Sequence, residues 1–281
     1  MKNYGSILVL LSAVFYSFGG LFFKLATWNS LAISSARSLI GFVIITIFLL
    51  IIKHKFVFNK WVLLAALVNT CTSILYSLAN KMTTAGNTIV LQFTMPVYVI
   101  IITSLIKKKM PSKLEISTCI CVLLGIIVFF VDSLSAGNML GNVLALVSGI
   151  TYSLVFIFNG QKESDSLSAF QLSLLITGLV CLPELLKTDI MGSSKECIFA
   201  VLGLGILQQG VGHILLSIGI NKTSAVTASL LSGIEPILNP ILVAVFYGEL
   251  LTPLSLIGAV IVLIAIMSYN VIGSKTKEAT S

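Results

Sequence analysis

Apolar runs of the length that crosses a bilayer, about 20 residues, alternate with short polar connections along the whole chain. They are Tyr4–Ala26, Ser30–Ile52, Trp61–Asn80, Ala85–Ile106, Lys113–Val131, Met139–Asn159, Ser168–Leu186, Glu196–Ile218, Ala225–Tyr247 and Thr252–Ile272. Each reads as one helix, so the pattern predicts an all-α membrane protein with ten transmembrane spans. The connections are short, which places helices adjacent in sequence next to each other in space. The first run is longer than the apolar stretch of a secretory signal, roughly 7–15 residues, and lacks a clear small-residue cleavage site, so it is expected to be a retained span.

An internal repeat divides these runs. Segment 5–22, GSILVLLSAVFYSFGGLF, aligns without gaps to 141–158, GNVLALVSGITYSLVFIF, pairing Gly5, Tyr16 and Ser17 with Gly141, Tyr152 and Ser153. Further on the spacing becomes 140 residues, where Thr83, Ala85, Leu91, Pro96 and Ile101 match Thr223, Ala225, Leu231, Pro236 and Ile241. The expected organisation is a first five-helix repeat over residues 1–136, a second over 137–274 and a cytoplasmic tail over 275–281. Five is odd, so the second repeat enters the membrane from the opposite side. Such inverted repeats are typical of transporters that alternate access around a midplane site.

Composition and charge then fix the environment and orientation. Of 281 residues 57% are hydrophobic and 10% charged, with mean hydropathy +1.08. Soluble domains carry about 25% charged residues, so a soluble enzyme, a disordered chain and a disulfide scaffold are excluded. With the N-terminus inside, the inner segments hold twelve lysines and the outer loops four: Lys24, Lys81, Lys187 and Lys195. That bias obeys the positive-inside rule and predicts a multi-pass protein of the cell membrane with both termini cytoplasmic. The net charge of +7 lies in short runs between apolar blocks, so no nucleic-acid partner is expected. The five cysteines show no zinc spacing with either His54 or His213, and no metal or other cofactor is expected.

Polar residues inside the spans carry the candidate chemistry. Pro96 and Pro236 each lie eleven residues into their runs, where proline removes a backbone donor and breaks the helix. Matching breaks in two repeats are the best sequence pointer to a substrate site, although a packing kink alone would leave the same mark. Glu235 directly precedes Pro236. A mid-membrane carboxylate is costly to insert, so it should face protein or water; it could carry a coupling proton, bind a cationic group or cap the broken backbone. Arg37, in the outer half of span 2, could snorkel outward, attract an anionic group or pair with a carboxylate, and with Glu235 it is a candidate for charge pairing or gating. Neutral polar residues gather in spans 3, 4, 8 and 9, with Tyr16 and Tyr152 adding spans 1 and 6. The cavity candidates are therefore Tyr16, Tyr76, Gln92, Pro96, Tyr152, Gln208, His213, Glu235, Pro236 and Asn239. Spans 2 and 10 read largely as lipid-facing or scaffold.

The segment Ala79–Gly86, ANKMTTAG, resembles the ALKYTSAG pattern preceding span 4 in EamA-type members of the drug/metabolite transporter superfamily. The run Gly233–Glu249, GIEPILNPILVAVFYGE, resembles their span-9 signature, and Arg37 matches an arginine common early in span 2. The resemblance covers the whole chain. One departure is Lys109, where the first repeat usually ends span 4 with a glutamate. The resemblance implies a secondary transporter that exports or exchanges small metabolites, such as amino acids or related compounds, with a small-molecule solute and the lipid bilayer as its partners. The competing readings are a membrane-embedded lipid-processing enzyme and a non-transport membrane partner. The enzyme would need paired acids or a nucleophile with its base, and the spans hold no Asp-rich motif, no His-x-x-x-His and no Ser/His/Asp set. No catalytic residue is therefore assigned. The sequence leaves the oligomeric state open.

Overall fold

The computed structural model describes residues 4–83, 85–131, 138–247 and 252–279, and among them every regular element is helical. The first half contains α1 (Tyr4–Leu25), α2 (Ser30–Ile51), α3 (Lys60–Met82), α4 (Ala85–Gln92), α5 (Met95–Lys107) and α6 (Lys113–Phe130). The second contains α7 (Met139–Asn159), α8 (Ser166–Val180), α9 (Leu182–Leu186), α10 (Lys195–Gly203), a π-helical segment (Leu204–Gly212), α11 (His213–Ile220), α12 (Ala225–Ser232), α13 (Glu235–Tyr247) and α14 (Pro253–Ala279). Among the described residues seven helical stretches are long and apolar enough to cross a membrane, and Ser166–Val180 and Pro253–Tyr269 are shorter apolar helices.

Polar residues at the ends of the apolar runs set the boundaries. The side chains of Asn29, Asn59, Asn138, Asp165, Ser194 and Ser224 each accept a hydrogen bond from the first turn of the helix that follows, satisfying amides that a helix start leaves free. Ser112 and Glu115 form a reciprocal capping box on α6. At the other ends, Lys53 after α2 and Lys108 after α5 take left-handed backbone conformations, φ 52° and 49°.

Three expected spans are interrupted. The fourth is split into α4 and α5, the ninth into α12 and α13, and the seventh stops at Cys181 before the short α9, whose first turn carries Pro183. The eighth is helical throughout but passes through nine residues of π-helix.

Side-chain stripes at helical spacing divide lipid-facing from buried surface. Ile7, Leu11 and Val14 on α1, Ile116, Ile120, Leu124 and Ile127 on α6, and Ile257, Val260 and Ile264 on α14 are exposed, which a bilayer, not water, would solvate. The inward faces pack in a definite pattern. α1 lies on the π segment and on α11, α12 and α13, while α7 lies on α3, α4 and α5. α2 packs on α8 and the π segment, and α3 on α8. α6 and α14 form a separate close pair, in which a Cβ on Gly258 would meet the Gly125 carbonyl oxygen at 2.6 Å and Ser255 Oγ donates to the Phe129 carbonyl at 2.8 Å. Of the two readings of span 2, lipid-facing or scaffold, the packing favours scaffold. Only one face of its second part, with Val43, Ile47 and Leu50, is exposed, whereas the residues from Ala32 to Ser38 are all buried, because small Ser and Ala side chains let α8 and the π segment approach.

Candidate functional site

The two proline-marked interruptions have the same construction. α4 ends at Gln92, Phe93 and Thr94 form the break, and α5 resumes with Met95 and Pro96; α12 ends at Ser232, Gly233 and Ile234 form the break, and α13 resumes with Glu235 and Pro236. Both prolines are buried. Each sits in the first turn of its helix, where its missing N–H would have no intrahelical partner anyway. Long bonds between residues three apart bridge the breaks, from Thr94 N to Leu91 O at 3.4 Å and from Ile234 N to Leu231 O at 3.3 Å.

The polar residues expected in the cavity gather around α1. Tyr16, Ser17, Gly19 and Gly20 follow one another on this helix. Ser17 Oγ donates to the main-chain oxygen of Glu235 at 3.4 Å, and Gln208 Nε2 donates to the main-chain oxygen of Tyr16 at 3.3 Å. The glycine pair permits this approach, since a Cβ on Gly19 would strike the Gln208 amide and one on Gly20 the Asn239 amide. Gly212 in the π segment similarly makes room for the Tyr16 ring, and His213 follows it directly, edge-on to Tyr16 at 5.4 Å and to Phe170 at 4.5 Å between ring centres. The Nδ1 atom of His213 is enclosed with no hydrogen-bond partner that meets distance and angle among the described residues.

Arg37 does not snorkel. It is 5% exposed. Its Nη1 donates to Gln208 Oε1 at 2.9 Å, its Nη2 to Ser73 Oγ at 3.3 Å, and its guanidinium lies 5.0 Å from the Phe23 ring centre. All these partners are neutral. Among the described residues its Nε has no hydrogen-bond partner and Arg37 forms no ion pair. Gln208 thus serves two helices, accepting from α2 and donating to α1.

Glu235 is the complementary case. Its Oε2 is enclosed with no hydrogen-bond partner among the described residues. The carboxylate lies within electrostatic reach of Tyr16 and Tyr152, and Tyr152 within reach of Tyr76, which in turn reaches Arg37. No ion pair joins Glu235 to Arg37, so the pairing alternative is absent from this conformation. Tyr152 on α7 contacts Phe93 in the first break, edge-on at 6.5 Å, and Gln92 beside it donates to Ser148 Oγ at 3.3 Å. Candidates from both halves therefore converge: Tyr16, Arg37, Tyr76 and Tyr152 around Gln208, His213, Glu235 and Asn239. Gln92 is spent on a helix–helix bond beside this group.

Other contributors had weak sequence signals or none. Ser73, Phe23 and Phe170 touch Arg37 or His213 but are commonplace in apolar helices. The π segment is foreshadowed only by the glycines at 203, 205, 210 and 212. Glu249, Asp132 and the loop 133–137 lie outside the described residues, as do the side chains of Lys24, Asn87 and Pro240. Among the described residues no three His, Cys, Asp or Glu side chains converge as a metal site.

A sequence model of the EamA-like transporter family matches residues 3–131 and again residues 139–271. The chain belongs to the EamA-like transporter family. Two relatives are matched nearly end to end. An uncharacterized transporter of Archaeoglobus fulgidus is 26% identical over 269 residues, covering 94% of this chain and 96% of its own. An uncharacterized transporter of Clostridium kluyveri is 27% identical over 289 residues, covering 95% and 93%. A protein of known crystal structure, 13% identical, superposes with a TM-score of 0.83 over 97% of this chain and 99% of its own, a likeness of fold. This EamA-like chain is a multi-pass membrane transporter, and the Glu235 of its arginine–glutamine–tyrosine–glutamate cluster stands directly after the break that precedes α13.

Proposed function

We propose that the protein is a secondary transporter that exports or exchanges small zwitterionic metabolites, amino acids or related compounds, across the cell membrane by alternating access. One observation carries this: Arg37 and the Glu235 carboxyl group, both inside the apolar bundle, have no ionic partner among the described residues and an unsatisfied atom each. A buried charge left uncompensated is strongly unfavourable. A solute bearing both a carboxylate and an ammonium compensates the two together. The carboxylate would take the Arg37 and Gln208 end and the ammonium the Glu235 end, with Tyr16 between them. The aromatic rings of Tyr152 and Tyr76 offer apolar contact to the rest of the solute.

The proposed architecture is ten spans in two inverted five-helix repeats, residues 1–136 and 137–274. The double family match supports it. So does the exchange of partners in the packing: α1 meets the π segment and α12–α13 just as α7 meets α3 and α4–α5. Gly5 packs against Lys222 at one such meeting, and Gly141 packs against Met82 and Thr83 at the other. The lysine bias supports cytoplasmic termini. With no ATP-binding loop of Walker type in the sequence, a solute gradient, exchange or proton movement through Glu235 would drive transport.

Liposomes loaded with unlabelled solute and offered labelled amino acids, nucleosides or cationic dyes test the assignment. Counterflow of an amino acid is the expected result. Counterflow of dyes or nucleosides alone would overturn the zwitterion, and none of any solute would overturn transport by this site.

A further inference from the structure

The connection from α2 to α3 is short, fixed and amphipathic, although it is no part of the central cluster. Its sequence from Lys53 reads Lys-His-Lys-Phe-Val-Phe-Asn-Lys. The loop is held from several sides, once through its backbone and twice through side chains. Val57 N donates to Ser168 Oγ at 3.0 Å, Asn59 Nδ2 donates to the Glu163 carbonyl at 2.6 Å, and His54 Nε2 lies 3.1 Å from Asp165 Oδ2. Asn59 also caps α3 through Trp61 N and Val62 N. A loop held in this way cannot fold its apolar side chains inward, yet Phe56 is 48% exposed and Phe58 68% exposed. Lys53, Lys55 and Lys60 are exposed between and beside them.

The nearby acids do not neutralise these lysines. Asp165 is engaged by His54 and by the amide of Ser168 at 2.8 Å, and Glu163 contributes its main-chain carbonyl. Aromatic rings interleaved with lysines at the end of a transmembrane helix match the boundary between acyl chains and headgroups. Rings enter the acyl edge while ammonium groups meet phosphates.

We infer that the α2–α3 loop is a binding seat for an anionic phospholipid of the cytoplasmic leaflet, with Lys53, Lys55 and Lys60 on the headgroup and Phe56 and Phe58 in the acyl boundary. Because the loop is bonded to the α7–α8 turn, a lipid there clamps the α2–α3 hairpin to α8. This rests on the cytoplasmic assignment proposed for the loop, not on the identity of the transported solute.

The test uses the full chain in vesicles of phosphatidylcholine alone or of phosphatidylcholine with phosphatidylglycerol, followed by mass spectrometry of retained lipid and by thermal melting. Phosphatidylglycerol should be retained selectively and should raise the melting temperature. Attraction of about 1 kcal/mol per lysine, or roughly fivefold, makes the triple variant Lys53→Gln, Lys55→Gln, Lys60→Gln lose retention by on the order of a hundredfold. Arginines at the same three positions should restore it, and Phe56→Ser with Phe58→Ser should weaken it while leaving salt dependence in place. The variant Lys187→Gln, Lys195→Gln should change nothing. Equal retention of both lipids by the native chain, or unchanged retention in the triple variant, would overturn the proposal. A cysteine at Lys55 labelled only from outside would overturn the leaflet assignment alone.

Discussion

Met95 and Glu235 hold the same position in two broken helices: each is the first residue after a two-residue break, and each is followed by a buried proline. Met95 is completely buried and apolar, whereas Glu235 keeps an enclosed oxygen without a partner. The break itself therefore does not require a carboxylate. Glu235 is an addition to a scaffold that closes equally well without charge.

Replacing Glu235 separates cost from use. Glu235→Met, which copies the first half, should melt at a higher temperature, since an enclosed carboxyl oxygen without a hydrogen bond costs free energy that an apolar side chain does not. Glu235→Gln should weaken apparent solute affinity by about 10- to 100-fold, the value of a hydrogen bond to a charged group at about 1.5–3 kcal/mol. Counterflow kinetics and thermal melting read the two effects independently. If Glu235 instead carries only a coupling proton, gradient-driven uptake by the glutamine variant collapses and counterflow survives.

Gln208→Glu would give Arg37 an internal counter-ion where it now has a neutral acceptor at 2.9 Å. The variant should be at least as stable as the native protein and should bind amino acids at least about tenfold more weakly, at about 1.4 kcal/mol per decade. Undiminished counterflow would show that Arg37 does not meet a solute carboxylate.

Gly20→Ala should destabilise the bundle by about 1–3 kcal/mol, the usual cost of overpacking, because its Cβ would collide with the Asn239 side chain. Adding Asn239→Ala should restore most of that loss. Denaturation of the two single variants and the double variant in detergent measures the coupling, and simple additivity would refute the contact.

Topology is checked at Ser135. A single cysteine there, in a chain lacking the five native cysteines, should react with an impermeant thiol reagent from outside. Labelling only from inside would refute the ten-span arrangement.

The helical class and many boundaries are legible in the sequence because lipid imposes one simple rule on long apolar runs. Ser30, Lys113 and Met139 begin helices where the apolar runs begin. The breaks before Pro96 and Pro236 are legible too, since proline acts locally. Less visible were features fixed by tertiary packing. Arg37 carries no mark of its neutral partners, which come from helices 36 and 171 residues away. The burial of α2 depends on which neighbours approach its serines and alanines. The π segment differs from an α-helix by one step of hydrogen-bond register, and composition hardly records that step.

A π turn is what an α-helix becomes when it absorbs an extra residue. In most spans, deleting one residue rotates everything downstream by about 100° and scrambles every later contact. Between Leu204 and Gly212 the chain has slack: a deletion can be taken up by narrowing the wide turns, leaving α10 and α11 seated at either side. Single-residue insertions and deletions among related chains should therefore collect here, in the middle of a membrane span, rather than in its flanking loops.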